Sequence, residues 1–119
     1  MVDAAIVTVV RDYLQALRNY GLDVRFGVVF GSWSRGKVSE WSDIDLLVGS
    51  PRFDDLRDRQ DVDLLWRLAA RSDSRLEPIP CGERQWHEDD SSAIIEIVRR
   101  EGEPIDLPDQ GNTADTTNP

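Results

Sequence analysis

The sequence predicts an α+β domain, and three observations predict it. Three segments carry apolar residues at helical spacing, four short apolar runs between and after them read as strands, and glycine, proline or polar residues punctuate the boundaries. At 119 residues the chain suits one domain with one modest core.

Ile6, Val9, Val10, Tyr13, Leu14, Leu17 and Tyr20 form the first helical stripe, and Gly21 suits its C-terminal end. Residues 24–30 read as a strand whose apolar end, from Gly27 to Phe30, suggests a central place buried on both faces. Residues 31–36, with two glycines, two serines and an arginine, predict a tight turn into a short helix, and 37–42 a polar loop carrying Trp41. Residues 43–48 form the second strand, closed by Gly49-Ser50-Pro51. A second long helix is expected over 55–71, with Leu56, Val62, Leu65, Leu68 and Ala69 facing inward. Residues 75–80 read as a third strand; Pro78 and Pro80 remove backbone donors and place it at an edge or make it irregular. Ser91 or Ser92 caps a third helix reaching about Arg100, its apolar side filled by Ile94, Ile95, Ile97 and Val98. Gly102 ends that helix, and 103–107 adds a last strand. Residues 1–107 thus form the domain, and 108–119, polar and without large apolar side chains, are expected to be a disordered tail.

Charge and composition remove several function classes. A net charge of −9 disfavours direct nucleic-acid binding and anionic lipid, and an anionic substrate needs a cation to approach such a surface. Cys81 is the only cysteine, so no internal disulfide forms and a reducing compartment is expected; it follows a proline, lacks a nearby basic partner and reads as inert. No apolar run is long enough to span a bilayer, and Asp3 stands where a signal peptide has basic residues. The expected location is the cytoplasm.

The chemistry concentrates in two segments. Gly31-Ser32-Trp33-Ser34-Arg35-Gly36 follows one apolar strand, and Ser42-Asp43-Ile44-Asp45-Leu46 opens the next. On a strand Asp43 and Asp45 share one face while Ile44 and Leu46 point into the core. At about 4 Å and an effective dielectric near 20, two such carboxylates repel by roughly 4 kcal/mol. A divalent cation between them relieves this, and oxygen-only ligands favour Mg²⁺ or Mn²⁺ sharing its sphere with substrate phosphates. Gly31 lets backbone approach a phosphate, Ser32 can donate its hydroxyl, and Arg35 can pair with phosphate or brace the turn. Asp-x-Asp alone is a weak signal and Gly-Ser a weaker one; their combination between two apolar strands is strong.

Those residues resemble the minimal nucleotidyltransferase (MNT) family of the DNA polymerase beta-like superfamily. The match covers the first half of the chain closely, and the element order fits the rest. The resemblance implies a mixed sheet of about four strands flanked by helices, one or two bound Mg²⁺ ions, and transfer of a nucleoside monophosphate from a triphosphate, ATP by default. It implies nucleotide binding by Gly31 and Ser32 and metal binding by Asp43 and Asp45; Arg35 is a further candidate nucleotide contact on its own chemistry alone. The family's third carboxylate lies on the strand after the long helix. Glu77, in Leu76-Glu77-Pro78-Ile79, fits that position, although glutamate replaces the commoner aspartate and Pro78 the usual apolar residue. The rival is Asp63, in an Asp-x-Asp stretch through which helical periodicity runs, and a solvated edge-strand role for Glu77 stays open.

Larger relatives append a domain that binds the acceptor, and this chain is expected to have no room for one. The acceptor would then come from a partner. Stand-alone MNT proteins resemble antitoxins paired with a helical HEPN ribonuclease toxin, and some add AMP to a tyrosine of that partner. A noncatalytic binding module that masks its partner, or a small-molecule nucleotidyltransferase completed by a homo-oligomer, are the competing readings.

The remaining unusual residues read as structural. His87 lies in Gln85-Trp86-His87-Glu88-Asp89-Asp90, which looks like a solvated loop, and the acids lead into the next helix. Trp66 is expected to pack, whereas Trp33 and Trp41 could equally stack on a base or simply pack.

Overall fold

Helix α1 (Ala4–Asn19) begins where the Asp3 carboxylate accepts the Ala5 N–H at 2.9 Å. Ile6, Val10, Tyr13, Leu14 and Leu17 are its buried stripe. Tyr20 departs from the predicted stripe: it is the C-cap and 58 % exposed, and the chain turns away at Gly21 with φ 99°. A computed structural model describes residues 3–31, 43–54, 59–88 and 92–107. Ser32, Trp33, Arg35, Trp41, Leu56, Ser91 and the predicted tail lie outside the described residues.

Four strands form one mixed sheet in the order β3-β2-β1-β4. Strand β1 (Phe26–Phe30) is antiparallel to both β2 (Ile44–Gly49) and β4 (Glu103–Ile105). Strand β2 is parallel to β3 (Leu76–Cys81), and the chain between them carries helix α2 (Arg59–Ser72). The strand predicted from Val24 begins two residues later, although Val24 is fully buried and Arg25 N–H donates to Gly49 C=O at 2.8 Å.

The pleat divides the core in two. Val29, Ile44, Leu46, Val48 and Leu76 pack beneath α1 and α2, where the buried Tyr13 hydroxyl donates to Leu65 C=O at 2.8 Å. Val28, Phe30, Leu47 and Cys81 face the other way, against Ile95 and Val98 of helix α4 (Ala93–Glu101) and with Trp86 at the margin. Ser92 caps α4 through its hydroxyl.

Three sequence expectations are corrected. Only Ile95 and Val98 of α4 are buried; Ile94 and Ile97 stand 43 % and 42 % exposed, because one short helix over one sheet face has a narrow contact stripe. Trp66 is 49 % exposed on the outer side of α2. The supposed loop around His87 contains helix α3 (Glu83–Glu88). Its cap comes from far along the chain: Asp54, after a single 3-10 turn (Pro51–Phe53), accepts Arg84 N–H at 2.9 Å and Gln85 N–H at 3.0 Å. Gly82 is needed there, since a Cβ would run into Asp54. Trp86 then packs on Phe26 with ring centroids 5.4 Å apart, and Arg99 lies over its indole and donates to its carbonyl.

Strand β3 is the expected edge, and the ladder explains its prolines. Ile44 N–H donates to Arg75 C=O and Ser50 N–H to Cys81 C=O, so residues 75, 77, 79 and 81 turn their backbone groups to β2. Pro78 and Pro80 therefore present their missing donors outward, which blunts the edge against pairing with another strand. The double variant Pro78→Val/Pro80→Val restores two outward N–H groups. It should associate with rising concentration more than wild type in sedimentation velocity; an unchanged distribution would contradict this role.

Candidate active site

Three carboxylates meet at one corner of the sheet. Alternation along β2 sends Ile44 and Leu46 into the α1/α2 core and leaves Asp45 on the face that carries Leu47. On β3, Glu77 is the register partner of Asp45 and shares a face with Ile79 and Cys81. Asp43 is exposed one residue before β2, whereas Asp45 and Glu77 are half-buried. On the other side of β2, Phe30 pairs with Asp45, so the chain leaves β1 through Gly31 beside that carboxylate. Gly31 has φ 73°, and a Cβ there would strike Asp45 Oδ2. Glycine is required at this point by backbone conformation and by space.

The electrostatics follow from the crowding. Burial, then the charge of Asp43, pushes the Asp45 carboxyl above its ordinary value. A hydrogen bond shared with Asp43, then burial, then the charges of Asp43 and Asp45, push the Glu77 carboxyl up. The trio is not a closed cage: among the described residues, no three acidic, histidine or cysteine side chains are gathered as a ready coordination sphere. Its donor set still fits an Mg²⁺- or Mn²⁺-type ion, being all oxygen and strained by a like-charge repulsion that a cation relieves.

Asp63, the rival third carboxylate, is exposed on α2. Glu77 is the acid that register brings to Asp45. Gly31 is in place, while Ser32 and Arg35 lie outside the described residues. A separate cavity of about 590 Å³ lies at the opposite ends of β2 and β3, lined by Pro51, Asp54, Glu83, Arg84, His87 and Glu88. It holds none of the trio, and Asp54 is already engaged in capping α3. Sequence reasoning missed Asp73 and Arg75 just before β3, which form a fork-shaped ion pair at 2.7 Å. An Asp-x-Arg spacing at a helix exit is the signal that finds them.

The shifted carboxyls predict opposite pH effects. Asp45 and Glu77, raised, hold more protons folded than unfolded just above the ordinary carboxylate range; their contribution turns against folding as pH rises through that window. Asp73, held low first by its Arg75 hydrogen bond, stabilises above the ordinary range and loses this as pH falls. Asp54 behaves alike, because the Arg84 and Gln85 N–H groups outweigh burial. In chelator, Glu77→Gln should raise the midpoint at neutral pH by about 2–5 °C, allowing for solvent screening. The gain should shrink toward about pH 4. Calorimetry across that range checks it, and a lowered neutral midpoint would contradict the account.

Comparison with known proteins bears on the fold and the family. No curated protein matches the chain. Among solved structures, a candidate nucleotidyltransferase from Sulfolobus solfataricus is 18 % identical, with TM-score 0.54, over 66 % of this chain and 68 % of that one. A toxin-antitoxin structure with AMP-PNP is 22 % identical, with TM-score 0.55, over 87 % of this chain and 77 % of the other. These likenesses show the nucleotidyltransferase fold. The model of the nucleotidyltransferase domain family matches residues 10–107, spanning every strand of the sheet and the whole carboxylate corner, and the chain belongs to that family.

Proposed function

We propose that this chain transfers AMP from ATP to a hydroxyl on a partner protein, as the MNT antitoxin of a HEPN/MNT toxin-antitoxin pair in the cytoplasm. The observation that carries the reading is Asp45 held between Gly31 and Glu77, with Asp43 beside them. The toxin-antitoxin likeness and its AMP-PNP support a nucleotide and a protein partner. No helix among the described residues is long and apolar enough to cross a membrane.

In this reading Asp43, Asp45 and Glu77 hold one or two Mg²⁺ ions, which supply charge neutralisation at the phosphates when bound. Gly31 and Ser32 receive the phosphates, and Arg35 adds a cation. The acceptor oxygen forms a bond to the α-phosphorus, the bond from that phosphorus to the bridging oxygen breaks, and pyrophosphate leaves. The acceptor's proton passes to Glu77 or to water. The net charge of −9 complements a basic partner surface.

A second reading has one observation in its favour: the trio is not gathered as a ready coordination sphere. A noncatalytic module would keep the fold and silence its partner by covering it. A small-molecule nucleotidyltransferase completed by self-association is a further alternative.

Incubation with labelled ATP, Mg²⁺ and the product of the neighbouring gene tests the proposal. Label should appear on the partner, and Asp45→Asn should lower it at least about 100-fold. ATP with Mg²⁺ at a hundred times the dissociation constant should stabilise wild type by about 2.7 kcal/mol and leave Asp45→Asn unmoved. Stabilisation by partner alone, with no label transferred, would favour the module.

A further inference from the structure

We propose that Asp73 and Arg75 form a clamp that positions Glu77 against Asp45, a role that rests on reading Glu77 as a metal ligand. Glu77 lies on an edge strand held from one side only, beside Asp43, with which it shares a hydrogen bond, and Asp45, and the charges of both disfavour its ionised form. The cheapest relief would be for the start of β3 to peel outward, since edge segments open locally at low cost. The turn that delivers β3 resists this with a dense set of bonds. Asp73 N–H donates to Ala69 C=O at 3.0 Å, continuing α2, and Leu76 N–H donates to Asp73 C=O at 3.0 Å. Asp73 Oδ1 accepts both the backbone N–H of Arg75 at 2.9 Å and its Nε–H at 3.0 Å, while Oδ2 accepts from Nη2 at 2.7 Å. Arg75 C=O in turn accepts Ile44 N–H at 2.7 Å, fastening the turn to β2 between Asp43 and Asp45.

This pair differs from an ordinary surface ion pair. Its side chains are only 26 % and 19 % exposed, its geometry is a two-bond fork, and the same carboxylate also closes a backbone turn. It sits two residues from Glu77 along a strand whose register decides where that carboxylate points. Neither residue need touch metal or substrate. They are positioning residues, acting through Glu77.

Mn²⁺ binding without nucleotide, followed by electron paramagnetic resonance, separates this role from a merely structural one. The chains compared are wild type, Asp73→Asn, Arg75→Gln, Glu77→Gln and Arg75→Gln/Glu77→Gln, each checked for folding by circular dichroism. Arg75→Gln and Asp73→Asn should weaken Mn²⁺ about tenfold, in the range typical of residues that orient a ligand. The double variant should bind no more weakly than Glu77→Gln alone, and Arg75→Lys, which keeps charge but loses the fork, should fall between wild type and Arg75→Gln. Should Arg75→Gln not fold, Asp73→Asn, which retains a turn acceptor, carries the same comparison with its own Glu77→Gln double variant. Unchanged Mn²⁺ affinity in the clamp variants, or equal weakening with and without Glu77, would overturn the clamp while leaving the metal site standing. Unchanged affinity in Glu77→Gln itself would remove the ligand reading, and the clamp with it.

Discussion

The register of β2 against β3 is the constraint on which this molecule turns. It sets Glu77 opposite Asp45, next to Asp43, and so concentrates carboxyl groups whose charges disfavour one another's ionisation. At contact distance such repulsion amounts to roughly 4 kcal/mol per pair before screening, a large fraction of a small domain's stability. The arrangement persists because the same residues that bring the acids together also bury the core. Ile44, Leu46 and Leu76 cannot pack under α1 and α2 without turning Asp45 and Glu77 to the opposite face.

Other features work to keep that register. Gly31 removes the one atom that would push the Asp45 carboxylate aside, and the exit of α2 is tied to β2 through Arg75. At the far ends of the parallel strands, Asp54 reaches across to cap α3, and Ser50 N–H bonds to Cys81 C=O. The prolines of β3 close its free side to another strand. Carboxylates at one end and tightly bonded turns at both form a frame whose weak point is the charged corner.

Much of this was legible in the sequence because it depends on local pattern. The pleat rule turned Asp45 away from Ile44 and Leu46, the proline pair pointed to an edge or an irregular strand, and Ser91 or Ser92 marked the start of α4. Glu77 was reachable only through resemblance, since one glutamate in a short strand looks like a solvated residue until a register is known. Helix α3 was hidden because its cap comes from Asp54 and not from the residue before it. Ile94 and Ile97 misled for a related reason: helical spacing shows how many apolar residues a helix carries, while the width of the surface beneath it decides how many are buried. The Asp-x-Arg spacing marks Asp73 and Arg75 in the sequence, while the fork that joins them is seen only in the hydrogen bonds.

The central claim is that three carboxylates at this corner serve one metal-nucleotide site. Anomalous diffraction from crystals soaked with Mn²⁺ and a non-hydrolysable ATP analogue tests it most directly. Manganese density bridged by Asp43, Asp45 and Glu77 is expected, with the analogue's phosphates against Gly31. Manganese bound elsewhere, such as beside Glu83 and His87 at the opposite ends of the strands, with this corner empty, would contradict it.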